Sequence, residues 1–191
     1  MTRDDILEAA ALIISQKGYH ATSMQDIAHA VNMQKASLYH HITSKQEILA
    51  ALLDQALDAL IECIQAVVDQ PLPPDDKLRL AIRDYLIVML NRRDLASVLL
   101  LEHRSLELEF RAAHIPRRDR FERLWRDMIE EGISENIFYC QDSAIASRAL
   151  LGVMNWTITW YRPDGSLSPE MIAEQFADLF FTGLLVRLDK I

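Results

Sequence analysis

The stretch TSMQDIAHAVNMQKASLYHHITSKQEIL, residues 22–49, decides the fold of this chain. Its first half places apolar residues at the spacing of one helix face about two turns long: Met24, Ile27, Ala28 and Val31. Asn32 follows where the chain must turn, and asparagine accepts a left-handed backbone better than most residues. A second short helix, about residues 35–41, begins at once. The stretch therefore predicts a helix-turn-helix, in which the second helix enters the major groove of DNA.

Capping residues in and after the stretch support this interpretation. Thr22 and Gln25 have the spacing of a capping box, and Ser23 is an alternative N-cap for the same helix. Ser44 is placed to cap a long helix whose apolar period continues to about residue 69, a length of roughly 36 Å. The prolines of PLPP, residues 71–74, end that helix. The stretch thus predicts two short helices followed by a long one.

The second short helix carries an unusual density of hydrogen-bonding side chains. Hydroxyl groups, a phenol, two imidazoles and two ammonium groups lie within residues 35–45. A solvated surface helix is more usually filled with Glu and Lys, whereas hydroxyl, phenol and imidazole groups all donate hydrogen bonds to phosphate oxygens. Adjacent residues on a helix face different directions, so His40 and His41 do not predict a metal site. We interpret the segment as a helix that reads DNA, and we expect no metal or other cofactor.

Outward from this stretch, the remaining sequence is also helical in pattern. Thr2 precedes a helix that Gly18 is placed to end. Apolar residues recur with helical spacing in five further segments: 75–93, 95–115, 117–132, 142–161 and 169–188. Pro116 is expected to break the chain, and Ser168 with Pro169 suits the start of the last helix. The sequence predicts an all-α fold of about nine helices.

The composition of the chain limits its function. Five glycines and six prolines in 191 residues, with 50% hydrophobic residues, suit a helical protein with a substantial core. The net charge of −8 argues against a protein coated in nucleic acid, but residues 1–47 hold four basic and five acidic residues and are nearly neutral. Cys63 and Cys140 are isolated, without the spacing of a zinc site. The sequence shows neither a signal-peptide pattern nor a long uncharged run, so we expect a cytoplasmic protein without membrane contact.

The ordered elements of residues 22–49 resemble the N-terminal signature of TetR-family transcriptional repressors. The elements that match, in order and without a gap, are Thr22-Ser23, Ile27-Ala28, Leu38-Tyr39, His41 and Ser44-Lys45. Ala36 departs from the family, which often has Gly or Pro at that position. The resemblance implies a helix-turn-helix DNA-binding domain at residues 1–47 and a ligand-binding and dimerisation domain at residues 48–191.

The resemblance and the chemistry of the side chains assign the same contacts to double-stranded operator DNA. Lys35 can donate to guanine O6 and N7, and Ala36 can meet a thymine methyl group. Lys45 is expected at a phosphate beside the N-terminus of the long helix. The full set of expected DNA-binding residues is Thr22, Ser23, Gln25, Lys35, Ala36, Ser37, Tyr39, His40, His41 and Lys45. A purely capping role for Ser23 and a partly buried, structural Tyr39 are the alternatives.

The last two predicted helices mix small and large apolar residues on one face each. A single copy of the chain cannot bury all of this surface between them. Two copies can pack these helices as a four-helix interface, which is the family pattern and predicts a homodimer. The expected interface residues are Ala149, Gly152, Phe176, Phe180, Gly183 and Leu184. The alternative is that both helices pack only within one chain.

A more diffuse resemblance, in residues 102–132 and 155–180, is to a TetR subgroup that senses acyl-coenzyme A thioesters. It implies an apolar tunnel for the acyl chain and guanidinium groups for the phosphates of this small-molecule effector. The expected ligand-binding residues are Met89, His103, Arg104, Arg117, Arg120, Arg123, Trp125, Met154 and Asn155. The alternatives are that the arginines belong to a solvated, salt-bridged helix, and that the effector is a hydrophobic drug, as in regulators of drug efflux.

Together these patterns predict a homodimeric repressor that a small hydrophobic effector, expected to be an acyl-coenzyme A, releases from a palindromic operator. Nucleophilic catalysis has little support, because no strand-turn-helix elbow surrounds a serine. No glycine-rich loop that could cradle a phosphate is present either. We therefore expect no enzyme. A helical enzyme or structural protein with an incidental helix-turn-helix is the remaining alternative.

Overall fold

The computed structural model describes residues 2–184, apart from the side chain of Leu184. Within this range the chain forms nine α-helices: α1 (Arg3–Lys17), α2 (Met24–Ala30), α3 (Lys35–Leu38), α4 (Lys45–Val68), α5 (Pro74–Asn91), α6 (Arg93–Leu101), α7 (Leu108–Ser134), α8 (Ser143–Trp160) and α9 (Pro169–Leu184). A 3-10 turn, His103–Ser105, lies between α6 and α7. The predicted all-α fold is confirmed. Residues 185–188 of the predicted last helix lie outside the described residues.

Helix α1 begins and ends where the sequence predicts. The Thr2 side chain accepts a hydrogen bond from the Asp5 amide at 3.2 Å, and the Thr2 amide donates to the Asp5 carboxylate at 2.6 Å. At the other end, Gly18 has φ +82°, a conformation that side-chain-bearing residues rarely adopt, and its N–H donates to the Ile14 carbonyl at 2.8 Å. These caps fix the point at which the chain turns towards α2.

The N-cap of α2 is Ser23, so the capping box that the sequence suggested for Thr22 and Gln25 is wrong. Ser23 Oγ accepts from the Asp26 amide at 3.1 Å, and the Asp26 carboxylate accepts from the Ser23 amide at 2.8 Å. Asp26 stands three residues after the cap, where its carboxylate can reach back to the orphan N–H. Thr22 is buried instead, and its hydroxyl donates to the Gly18 carbonyl at 2.9 Å.

The turn after α2 and the start of α4 follow the prediction, whereas α3 is shorter than predicted. Asn32 has φ +54°, the left-handed conformation expected of it, and Ser44 Oγ accepts from the Glu47 amide at 3.0 Å. The predicted helix over 35–41 ends at Leu38. The amides of His40 and His41 donate to carbonyls three residues back, which tightens the chain into turns.

The region around Pro116 differs from the prediction in two respects. The helix expected over 95–115 ends at Leu101 and a new one begins at Leu108, whereas the expected break at Pro116 is wrong because α7 runs through it. A proline in a helix interior removes one hydrogen bond and costs about 3 kcal/mol. Buried side chains on both sides of it, His114 and Phe121, offset this cost by anchoring each half of the helix.

The described residues belong to two compact units, and each has its own core. Unit 1 comprises Met1–Ala59 and Arg92–Arg118, and unit 2 comprises Leu60–Asn91 and Asp119–Ile191. The core of unit 1 includes Ile6, Ala10, Ile14, Ile27, Leu38, Ile42, Leu49 and Val98. The core of unit 2 includes Leu78, Ile82, Tyr85, Trp125, Met128, Ile129, Leu150 and Met154. The predicted boundary between a DNA-binding and a ligand-binding domain, at residues 47 and 48, does not coincide with the boundaries of these units and stays a prediction.

One glycine of unit 2 is required by close packing rather than by its backbone angles. A Cβ atom at Gly132, near the end of α7, would clash with the ring of Phe138, which is buried. Phe138 in turn meets the ring of Phe181 on α9 at 5.7 Å between centroids. Gly132 therefore lets the chain after α7 fold back over that helix.

No helix in residues 2–184 is both long and apolar enough to cross a membrane.

Candidate functional site

The second helix of the helix-turn-helix, α3, and the turns after it bury their apolar side chains and expose most of their polar ones. Leu38 and Ile42 are 0% exposed and anchor the segment in the core of unit 1. Lys35 and Ala36 are exposed at the start of α3, and Ser37 is half-buried. His40 and His41 are also exposed, in the turns that follow. With Tyr39, six of the expected DNA-binding residues thus lie in one short segment.

The donors of this segment are available for a partner. Within residues 2–184, the hydroxyl of Tyr39 and the imidazoles of His40 and His41 have no hydrogen-bond partner. Tyr39 is 43% exposed, and the absence of a partner for its hydroxyl among these residues argues against the structural alternative. The Lys35 ammonium lies 6.0 Å from the centre of the Tyr39 ring, so both groups occupy the same side of the segment. These residue types are the ones that bind phosphate oxygens and guanine edges.

Lys45, at the start of α4, already has partners within unit 1. Its Nζ donates to the carbonyls of Tyr19 at 2.9 Å and Thr22 at 2.8 Å, and it lies 4.3 Å from the centre of the Tyr19 ring. Two of the three ammonium donors therefore hold the connection between α1 and α2. Together with the buried Thr22 hydroxyl, this arrangement fixes the position of α2, on which Ser23 and Gln25 are exposed.

The segment between α6 and α7 is hydrogen-bonded to the connection before α2 and to the start of α4, a feature that the sequence did not reveal. The Gln46 carboxamide donates to the Ser105 carbonyl at 2.9 Å and accepts from the Glu107 amide at 3.0 Å. The Glu102 carboxylate accepts from the Tyr19 amide at 3.1 Å. Ser105 Oγ lies 3.2 Å from His20 Nε2. These contacts join residues distant in sequence, so no local pattern could have indicated them.

Two acidic residues close to the helix-turn-helix, Asp26 and Glu47, are occupied by capping contacts. The pKa of Asp26 is lowered by its hydrogen bonds from Ser23, and the exposed Lys17 ammonium lies 3.6 Å away. The Thr43 amide, followed by the Thr43 hydroxyl and Arg3, holds the pKa of Glu47 below its usual range. These carboxylates accept hydrogen bonds at helix termini and form ion pairs. They do not pair with the exposed donors of α3.

In unit 2, the predicted ligand-binding residues Met89, Trp125 and Met154 lie in the core, each at most 2% exposed. The sequence did not single out Tyr85, which stacks on Phe121 at 5.9 Å and meets Trp125 edge-to-face at 5.6 Å. The Tyr85 hydroxyl donates a hydrogen bond to Asn155 Oδ1. Burial raises the pKa of Tyr85, so the phenol keeps the proton that it donates.

The arginines and the histidine expected at a ligand are not equivalent. Arg117 pairs with Asp54 at 3.2 Å and with Asp58 at 3.1 Å, both on α4 and within unit 1. Arg104 and His103 are exposed in the same unit. In unit 2, Arg120 and Arg123 are exposed and have no ion-pair partner in the described part of the chain. Arg117 and Arg126 are thus salt-bridged, whereas Arg104, Arg120 and Arg123 face solvent, and the alternative of a solvated, salt-bridged helix stays open.

Helices α8 and α9 expose a large apolar surface in unit 2. Of the expected interface residues, Ala149, Gly152 and Gly183 are exposed and Phe176 and Phe180 are half-buried. The side chain of Leu184 lies outside the described residues. The same helices also expose Ile145, Val153, Trp156, Trp160 and Leu179, between 38% and 67% each. Several large apolar side chains on neighbouring turns are typical of a surface that a partner covers.

No group of three potential metal ligands occurs in residues 2–184.

Two family models match the chain, one in each part. Residues 6–52 match the model of bacterial regulatory proteins of the tetR family, and residues 71–184 match the model of the tetracyclin repressor-like C-terminal domain. Together they cover most of the chain, including the helix-turn-helix and the apolar surface of α8 and α9.

Three relatives illustrate what this chain is similar to. The TetR-family regulator PfmR from Thermus thermophilus is 36% identical, with a TM-score of 0.86, over 93% of this chain and 97% of that one. AibR, crystallised with isovaleryl coenzyme A and operator DNA, is 31% identical, with a TM-score of 0.86, over 94% of this chain and 97% of that one. The transcriptional repressor KstR2 of Mycobacterium tuberculosis is 27% identical over 95% of this chain and 92% of its own length.

Proposed function

Because this chain belongs to the TetR family of bacterial transcriptional regulators, we propose that it is a homodimeric repressor that an acyl-coenzyme A thioester releases from operator DNA. Family membership makes it a DNA-binding regulator of transcription rather than an enzyme. The observation that carries the choice of effector is the full-length likeness to AibR, which binds isovaleryl coenzyme A and operator DNA. The exposed donors of α3 support the DNA-binding part of the proposal.

Residues 1–47 form the DNA-binding domain in this proposal, with α3 in the major groove. Lys35 reads a guanine edge and Ala36 meets a thymine methyl group. The neighbouring hydroxyl, phenol and imidazole groups, with the exposed Gln25 on α2, contact bases or phosphates. The set consists of Gln25, Lys35, Ala36, Ser37, Tyr39, His40 and His41.

Thr22, Ser23 and Lys45 act on DNA mainly through the backbone that they hold. Ser23 caps α2, and Thr22 and Lys45 secure the connection before it. Lys45 retains one of its three N–H donors, which can meet a phosphate at the N-terminus of α4. Substituting Lys45 is therefore expected to affect folding of the helix-turn-helix as well as DNA affinity.

Residues 48–191 bind the effector and form the dimer in this proposal. The acyl chain lies among Met89, Trp125 and Met154, whose apolar and polarizable side chains suit a hydrocarbon. Arg120 and Arg123 are the guanidinium groups of unit 2 that are available for phosphates, whereas Arg117 is paired. The dimer forms through the apolar surface of α8 and α9, as two copies of this helix pair make a four-helix interface.

Calorimetry with a series of coenzyme A thioesters tests this effector class. Isovaleryl-, octanoyl- and palmitoyl-coenzyme A are titrated into the protein beside the corresponding free acids and coenzyme A alone. We expect one thioester to bind at least tenfold more tightly than its free acid, and Arg120→Ala with Arg123→Ala to weaken that binding. Free acids that match the thioesters would contradict the proposal. Binding of hydrophobic drugs alone would place the protein with the regulators of drug efflux.

A further inference from the structure

The aromatic cluster of unit 2 contains a polar atom that the fold leaves unused. Trp125 is 0% exposed, and its indole Nε1 has no hydrogen-bond acceptor among the described residues. Nearly all buried N–H groups in proteins are paired, because an unpaired one loses its hydrogen bond to water without replacement. Phenylalanine would fill this position without that loss. The indole at this position therefore indicates an acceptor from outside the described residues, which a bound ligand can supply.

The rings packed against Trp125 lead to one polar side chain, the carboxamide of Asn155. The Trp125 ring meets those of Tyr85 at 5.6 Å and Phe121 at 6.3 Å, and both rings present only apolar walls. The Tyr85 hydroxyl occupies Asn155 Oδ1, so the carboxamide of Asn155 retains its Nδ2 donor. In residues 2–184 no acceptor meets that Nδ2. A ligand in this part of unit 2 must therefore bring an acceptor oxygen.

We propose that Trp125 Nε1 donates a hydrogen bond to a carbonyl oxygen of the effector, with Asn155 Nδ2 as a second donor, so that Trp125 determines specificity for a thioester. This inference rests on the proposed function. The thioester carbonyl is the uncharged acceptor at the junction between the acyl chain and the polar part of the molecule. A free carboxylate would enter the same apolar surroundings with an unpaired charge, which is far less favourable.

The test replaces the carbonyl of the ligand and the donor of the protein in turn. The thioester that binds most tightly is compared with its S-alkyl thioether, which keeps the chain, the sulfur and the phosphates but has CH₂ in place of C=O. Wild-type protein is expected to bind the thioether at least tenfold more weakly, because both donors lose their acceptor. Trp125→Phe should weaken binding of the thioester and so reduce this preference, and the remainder comes from Asn155 Nδ2. Met128→Leu, also buried in α7, is the matched control and should keep the tenfold preference.

A second measurement needs no substitution of Trp125. With ¹⁵N-labelled tryptophan, the protein gives three indole N–H signals, and Trp156→Phe and Trp160→Phe identify the one from Trp125. The thioester should move this signal downfield, as a new hydrogen bond does, and the thioether should not. Equal affinity of the wild type for both ligands, or a preserved preference in Trp125→Phe, would overturn this inference and leave the thioester effector standing. Failure of every thioester to bind would reject both.

Discussion

At the scale of single residues, the helix-turn-helix divides its polar side chains between two tasks. Ser23, Asp26 and Glu47 bond backbone amides at helix termini, and Lys45 bonds two carbonyls. Lys35 and Tyr39, by contrast, face solvent. Substitutions of the first group should therefore change stability, and substitutions of the second should change DNA binding with little effect on stability.

Lys35→Ala is expected to relax base preference at one position in each half-site. A lysine at a guanine edge contributes about 1–3 kcal/mol of discrimination against the wrong base. Binding of a set of operator duplexes, each with one changed base pair, measures this preference. Lys17→Ala is the control, because Lys17 pairs with Asp26 at the end of α1 rather than belonging to α3. Unchanged preference in Lys35→Ala would remove Lys35 from the proposed contacts.

Glu47→Gln is expected to lower the free energy of unfolding near neutral pH, by about 1 kcal/mol or less. The pKa of Glu47 lies below 4.5 in the folded chain, chiefly because the Thr43 amide donates to the carboxylate. A lowered pKa contributes stability above the ordinary value and loses it as the pH falls through the folded value. The difference from wild type should thus shrink below pH 4.5. Denaturation curves across pH measure this. Glu62→Gln, at an exposed position, is the control, and its difference from wild type in the free energy of unfolding should not change with pH.

Local chemistry explains which of these residues could be predicted from the sequence. Thr2, Asn32 and Ser44 cap or turn the chain through local contacts, so the sequence pattern predicted these two caps and this turn. Ser23 was ambiguous, because Thr22 has an equivalent hydroxyl and only burial separates the two. Tyr85 was missed, because its partner Asn155 is 70 residues away and nothing in the sequence pairs them.

At the scale of elements, the connection between α6 and α7 is the least predictable part of unit 1. The sequence indicated one helix through this region, because its apolar period continues across the gap. The 3-10 turn His103–Ser105 forms instead, and Gln46 bonds the backbone on either side of Leu106, which is 2% exposed. The same carboxamide thus fixes this connection against the start of α4.

Gln46→Ala is expected to lower the free energy of unfolding by about 1–3 kcal/mol, since it removes two hydrogen bonds and leaves two backbone groups without their partner. Amide hydrogen exchange of Glu107 should also accelerate, because its N–H loses its acceptor. Gln65→Ala is the matched control on α4, where the exposed carboxamide bonds only Asp69 one turn away. Equal effects of the two substitutions would mean that the connection is held by other contacts.

At the scale of the whole molecule, the exposed apolar surface of α8 and α9 is the proposed contact with a second copy of the chain. Gly152 and Gly183 are exposed, and a Cβ atom at either would meet nothing within 4 Å among the described residues. Neither glycine is required by the packing of residues 2–184. Small residues at these positions are instead what close approach of a second copy requires.

Gly183→Arg is therefore expected to leave the single chain folded and to abolish the dimer. A Cβ atom at Gly183 meets no described residue, whereas a charge in a helical interface costs several kcal/mol. Light scattering at micromolar concentration measures the mass, and circular dichroism confirms the helices. Ala66→Arg, at an exposed position of α4, is the control and should remain dimeric. A dimeric Gly183→Arg protein, or a monomeric wild type, would exclude this surface as the interface.

The central claim is that operator DNA and an acyl-coenzyme A compete for different states of one dimer. Fluorescence anisotropy of a labelled duplex from the DNA flanking the protein's own gene tests it directly, with the thioester selected by calorimetry and its free acid as control. The thioester should weaken operator binding at least tenfold, equivalent to about 1.4 kcal/mol of preference for the DNA-free state, and the acid should not. Operator affinity that is the same at saturating thioester as without it would contradict the account.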